Sequence, residues 1–303
     1  MILLLLLLIQ IPPSDESNKI YGPMSIHGHS FFQLTTSDFI PNEPIVDFDY
    51  FKITGSISSI FNYDKNHRID TEVNTIEIEY WKHMTDRFVV GTTLSTTYVG
   101  GGFVDRFINE FHRIFNIQHD RFDFPDNKST VDFGDSKDLH AIFLNDPTLM
   151  CRYKLINGEN YGILVGSRLS LPIGNNVGWI DTDWQGSIEC AAHLKISNFY
   201  FYGAASLVRV NSTIFGFDLV KWQASLILTV DWQWSETLSF ITQIQLCSSA
   251  VDIDNNAIST EIAVGFRLEI SNGVEFEVGA TENLFTYDNS VDFAFGIGII
   301  FKK

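Results

Sequence analysis

Residues 221–246 read KWQASLILTVDWQWSETLSFITQIQL. Alternate positions Trp222, Ala224, Leu226, Leu228, Val230, Trp232 and Trp234 are apolar, and the positions between them (Lys221, Gln223, Ser225, Ile227, Thr229, Asp231, Gln233) are mostly polar. After a short break at Trp234–Glu236 the alternation resumes as Leu238, Phe240, Thr242, Ile244 and Leu246. Successive side chains of an extended chain point to opposite faces, so period two means strand, turn, strand. The fold then turns on what covers the apolar face.

The pattern recurs along the chain. Twelve segments carry it, at roughly 46–61, 71–83, 86–99, 147–156, 160–172, 181–195, 198–210, 219–234, 236–248, 258–271, 273–282 and 290–301. Tight gaps follow the even-numbered segments ("TD", "NGEN", "SN", "SE", "SNG"), and longer ones follow the odd-numbered segments, among them "NYDKNHRIDTE" and the block 100–145. Such alternation puts all short turns on one rim of an up-and-down meander and all long loops on the other. The segments are also long, near the ~9–11 residues a tilted strand needs to cross a bilayer and beyond the ~5–6 of soluble strands. Aromatics gather at segment ends (Tyr80/Trp81, Tyr98, Trp179/Trp184, Phe199–Tyr202, Trp232/Trp234, Phe301) as interfacial girdles do. A soluble sandwich or lipocalin-like barrel would share the period but not these lengths or this loop asymmetry. The expected fold is therefore all-β, an antiparallel up-and-down transmembrane β-barrel of about 12 strands. Its apolar face points into lipid and its polar face into the lumen. Closure is required because every backbone N–H and C=O in hydrocarbon must be paired within the protein.

The net charge of −17 excludes a nucleic-acid partner, since such binding needs basic residues to neutralise phosphates. Cys151, Cys190 and Cys247 are widely spaced and give neither a disulfide framework nor a metal pattern. The N-terminus, MILLLLLLIQIPPSDES, has an eight-residue apolar run that resembles the core of a secretory signal peptide, although no Lys or Arg precedes it. The chain is thus divided into a signal peptide over 1–20, an N-terminal periplasmic segment over 21–45 and an outer-membrane barrel over 46–303.

One stretch breaks the period. In GGGFVDRFINEFHRIF, Val104, Phe107, Ile108, Phe111, Ile114 and Phe115 fall on one helical face, which predicts an amphipathic loop helix over about 103–115. It is read either as a cap lying on the barrel mouth or at the membrane interface, or as a gate or plug using Phe107, Ile108, Phe111, His112 and Phe115. The longer stretch YVGGGFVDRFINEFHRIFNI, followed by a loop containing "PDN", resembles the matching region of a bacterial family of unknown function, DUF3187. The resemblance implies an outer-membrane barrel and brings no activity and no catalytic residues. The ending VDFAFGIGIIFKK resembles the C-terminal recognition strand of bacterial outer-membrane proteins, with two lysines after Phe301. That implies the outer-membrane assembly machinery as a partner beside outer-membrane lipids.

Chemistry is sparse. The pair of histidines in "HGHS" (His27–Ser30) lacks a third ligand at a supporting spacing, so no metal or other cofactor is expected. No G-x-S-x-G, P-loop or dinucleotide pattern occurs, and no catalytic residue is assigned. The polar face supplies the candidate lumen-lining charges: Glu77, Glu79, Arg168, Glu189, His193, Lys221, Asp231, Glu261, Arg267, Glu269, Glu275, Glu277 and Asp292. Acids outnumber bases, and rings of one sign select ions. The expected function is a small-solute channel of a Gram-negative outer membrane with a cation-leaning lumen. A lipid-modifying enzyme at the barrel rim and an adhesive barrel binding a partner through its external loops are the alternatives.

Overall fold

The computed structural model describes residues 20–25, 34–64, 67–102, 110, 129–132, 136–174, 177–251, 258–283 and 293–303. Twelve long antiparallel strands form one closed sheet: β1 Tyr50–Asp64, β2 His67–His83, β3 Phe88–Gly100, β4 Thr148–Asn157, β5 Tyr161–Ser170, β6 Gln185–Ile196, β7 Phe199–Arg209, β8 Trp222–Gln233, β9 Leu238–Cys247, β10 Ser259–Ser271, β11 Val274–Asn283 and β12 Phe293–Lys302. Each pairs with its neighbours in sequence, and β12 pairs back onto β1 from Tyr50↔Lys302 to Ser59↔Phe293, which closes the barrel. No helix among the described residues is long and apolar enough to cross a membrane.

Alternation sets each strand's two faces. On β11, Glu275, Glu277 and Thr281 are buried toward the lumen, and Val274, Phe276, Val278 and Ala280 lie on the other face. On β8, Trp222, Leu226, Leu228, Val230 and Trp232 are exposed outward, while Gln223, Thr229 and Asp231 are buried within. Trp222 and Trp232 bracket the outward face of β8. Ten residues of extended chain rise roughly 33 Å along a strand, or roughly 25 Å along the membrane normal at the ~40° tilt usual for such barrels. That matches the apolar band of an outer-membrane barrel. The girdle doublets divide by parity. Tyr80, Phe199, Phe201 and Trp232 face outward, whereas Trp81, Tyr200 and Tyr202 are buried inside. Neighbouring aromatics on a strand cannot share a face.

Short turns occupy one rim, and in the turn from β10 to β11 Gly273 has φ 86°, a left-handed conformation that glycine adopts without strain. On the other rim the expected long loop "NYDKNHRIDTE" is corrected: β1 and β2 stay paired to Asp64↔His67 and form one extended hairpin. Short strands Thr130–Asp132, Ser136–Asp138 and Ala141–Leu144 continue the wall beside β2 and β3. A small separate sheet of Ile180–Thr182, Ser212–Ile214 and Phe217–Asp218 forms among the other long loops. The predicted helix over 103–115 lies outside the described residues apart from Glu110, which is helical and exposed.

The sequence reading set residues 21–45 apart from the barrel. Most of the described residues between 20 and 49 are packed inside it: Ile20, Met24, Phe39, Ile40 and Glu43 are all buried against strand side chains. Twelve strands enclose more room than their own inward side chains fill. The inward polar groups also need partners. A segment with no period of its own meets both demands.

Candidate functional site

The lumen is built from two arms of the inserted segment and the walls that hold them. The arm 20–25 starts at the short-turn rim, where Ile20 packs with Tyr50, Trp81 and Ile300. Its backbone is satisfied by side chains rather than by a ladder. The N–H groups of Ile20, Gly22, Met24 and Ser25 donate to Glu275 (3.3 Å), Asp231 (3.2 Å), Gln243 (3.2 Å) and Glu277 (3.1 Å). Arg267 donates in return to the carbonyls of Ile20 (3.1 Å) and Pro23 (3.0 Å). Met24, fully buried, sits against Gly265 and Gly279, a cross-strand pair whose missing side chains leave its seat.

The arm 34–49 returns to the same rim. Leu34 and Phe39 join an apolar cluster at the long-loop end with Ile60, Ile69, Val73, Val99, Phe143, Ile180, Val208, Ile214, Leu219 and Val251. Trp179 stacks on Phe215 at 5.0 Å beside it. Below this stopper, Ser206 donates to the Phe39 carbonyl (2.9 Å), Arg168 to that of Asp38 (2.8 Å), and Tyr202 to those of Pro41 and Glu43 (3.1 Å each). Lys154 donates to the Val46 carbonyl (2.8 Å) and pairs with Asp47, and the His83 N–H donates to Asp49 (2.7 Å).

Two ionic clusters face the arms. In the first, Arg152 of β4 and Arg168 of β5 share the carboxylates of Glu189 and of Glu43, at 2.5 to 2.8 Å. In the second, Arg267 pairs with Asp231 (3.2 Å) and Glu277 (2.7 Å), Lys52 with Glu277 (3.1 Å) and Lys302 with Glu275 (2.7 Å). Three cavities lined by described residues of the segment measure about 30, 20 and 20 Å³, room for a few waters and too small for an organic solute. A wider cleft of about 360 Å³ opens among the long loops near Asp181, Asp183, Asp218 and Lys221.

Of the residues singled out in the sequence, Glu79, Arg168, Glu189, Asp231, Glu261, Arg267, Glu275 and Glu277 are buried on the lumen face, and Glu77, His193 and Glu269 are half-buried. The structure brings Arg168 to Glu189, and Arg267 to Asp231, Glu275 and Glu277. Lys221 is a correction: it precedes β8, is exposed and lines the loop cleft, because alternation was extended one residue past the strand. Asp292 and the helix residues Phe107, Ile108, Phe111, His112 and Phe115 lie outside the described residues, as do His27 and His29. Among the described residues no group of three His, Cys, Asp or Glu is placed to hold a metal.

Sequence reasoning missed Lys52, Arg152, Lys154 and Lys302, all buried in the lumen, and Asp70 and Glu72 near the long-loop end. Parity alone would have found them: Lys52 alternates with Phe51 and Ile53, and Lys302 continues the inward face of the last strand past Phe301. Glu43 carried no such signal, because its neighbours have no period.

Three comparisons bear on this barrel. The family model described as "Protein of unknown function (DUF3187)" matches residues 1–303. No curated protein matches the chain. Among solved structures, the transport unit of the autotransporter AIDA-I from Escherichia coli superposes with a TM-score of 0.50 at 11% identity, covering 90% of this chain and 96% of that one. The translocator domain of the autotransporter NalP from Neisseria meningitidis gives 0.49 at 8% identity, covering 90% and 93%. A KdgM porin gives 0.45 at 4% identity, covering 83% and 98%. At these identities the likeness is one of fold, a closed antiparallel β-barrel.

Proposed function

Because this chain belongs to the DUF3187 family, whose description names no activity, we propose a function from the barrel itself: a small-solute channel of the Gram-negative outer membrane, held closed by its own N-terminal segment. Its outward belt meets outer-membrane lipids, and its last strand is presented to the assembly machinery. What carries this reading is how the segment is held. Below the apolar stopper, both arms are fastened mainly by hydrogen bonds and ion pairs to lumen side chains. Water that enters as the segment leaves can take over the neutral hydrogen bonds, each worth only about 1 kcal/mol over its hydrated alternative, whereas the ion pairs of Glu43 are the costlier fastening. Both arms also reach the short-turn rim, at Ile20 and at Asp49 next to Tyr50, so the segment can leave that way without threading the barrel.

Once vacated, the described strands would line the lumen with eight buried acids (Asp70, Glu72, Glu79, Glu189, Asp231, Glu261, Glu275, Glu277) against six buried bases (Lys52, Arg152, Lys154, Arg168, Arg267, Lys302). The acid excess favours cations. The test is conductance of the refolded, heat-modifiable protein in a planar bilayer. Discrete steps with a cation-selective reversal potential are expected, brief for the natural chain and longer-lived when Met24→Ala empties the segment's seat. Electrical silence of both proteins overturns the channel reading.

A further inference from the structure

We infer that Arg152 and Arg168 form a carboxylate-binding site on the lumen wall, which Glu43 of the inserted segment occupies as a built-in stand-in for a solute. This deepens the channel reading and rests on it for how a solute reaches the site.

Glu43 does not belong to the wall. It sits in Pro41-Asn42-Glu43-Pro44, a stretch bracketed by prolines, whose carbonyls at Pro41 and Glu43 both accept from Tyr202. Its carboxylate is held as a ligand would be. Arg168 approaches as a fork, Nη1 to Oε1 at 2.7 Å and Nη2 to Oε2 at 2.5 Å, and Arg152 Nη2 adds a third bond to Oε2 at 2.7 Å. Paired donors of this kind recognise planar carboxylates with geometric selectivity.

The receiving side is organised without Glu43. Glu189 of β6 accepts from the Nε of both arginines, at 2.5 and 2.8 Å, and also lies 2.7 Å from Arg168 Nη2, an arrangement that turns Arg168 Nη1 and Arg152 Nη2 toward the segment and leaves Arg168 Nη2 shared. Gly166 of β5 makes room for it, since a Cβ there would fall 2.7 Å from Glu189 Oε1. The Arg152 guanidinium lies over the Trp81 ring at 4.5 Å, which fixes its plane. Both arginines are almost fully buried. When Glu43 leaves, two guanidiniums face one carboxylate, so this spot is positive within an otherwise acid-rich lumen. Buried charge left unpaired is costly, and an incoming carboxylate restores the pairing. Segment and solute therefore compete for the same donors.

The experiment uses the full-length refolded barrel, with succinate as the probe and neutral succinamide as the control, read by calorimetry and by tryptophan emission. Glu43→Ala is expected to bind succinate at least ten-fold more tightly than the natural chain and to show no binding of succinamide. Adding Arg168→Gln to it should abolish succinate binding. If Glu43→Ala does not refold, Glu43→Gln, which keeps the shape and drops the charge, is compared in the same way. The inference is overturned if neither Glu43 variant binds succinate better than the natural chain, or if Arg168→Gln leaves binding intact. Succinate binding by a barrel that never conducts supports the site and sinks the channel reading; conductance without succinate binding does the reverse.

Discussion

The sulfur of Met24 packs against the bare backbone of Gly279, since a Cβ built on Gly279 would fall 3.0 Å from Met24 Sδ and 2.9 Å from the Val264 carbonyl oxygen. The wall of the barrel is thus shaped to accept one residue of the inserted segment. Gly265, paired with Gly279 across β10 and β11, contributes the other half of the seat. Met24→Ala empties the seat and leaves both strands unchanged, so it should keep the barrel heat-modifiable while loosening the segment. The expected result is faster protease cleavage within the arm 20–25 and longer channel openings. A segment as protected as in the natural chain would show that the seat is not needed to hold it.

Arg267 is the centre of the second ionic cluster, bonded to Asp231, to Glu277 and to the carbonyls of Ile20 and Pro23. Arg267→Met would leave both acids short of a buried partner. Removing one member of a buried pair typically costs about 3–5 kcal/mol. A lower midpoint in denaturant unfolding is expected. Arg209 lies on the exposed face at the long-loop end of β7, and Arg209→Met should change stability little.

Leu228 is half exposed on the outward face near the middle of β8, and Thr229 beside it is buried inward. An arginine at the midplane of a barrel's lipid face costs about 2–4 kcal/mol. Leu228→Arg should therefore lower stability in bilayers by about that amount and much less in a detergent that solvates the charge. Equal stability in both would contradict a lipid-facing belt.

Cys190 is exposed on the outward face of β6, whereas Cys247 is buried inside with Ile40 and Tyr202. A spin label at Cys190, with the other two cysteines replaced by serine, should be relaxed by oxygen dissolved in lipid and little by an aqueous nickel chelate. The opposite preference would place β6 away from hydrocarbon.

Much of this is legible in the amino-acid sequence. Trp232 and Asp231 are neighbours with opposite fates, one exposed and one buried, and period two announces that difference locally. The lumen acids of β10 and β11 were found by the same rule. Lys52 and Arg152 were missed because the strands that bear them begin with weaker patterns, and Lys302 because it follows the aromatic residue taken as the end. Their omission overstated the acid excess, since all the missed lysines and arginines are buried cations paired with acids.

The sequence by itself determined a closed barrel of twelve strands with a lipid-facing belt, because strand, turn and face depend on residues one or two apart. Only the tertiary structure decided what fills that barrel. Ile20 meets Glu275 across 255 residues, and Glu43 meets Arg168 across 125. The arms that make these contacts have no period, and their backbone is satisfied by side chains from distant strands. Nothing local marks such a segment. It is held where it is because a lumen this wide would otherwise leave its polar wall without partners.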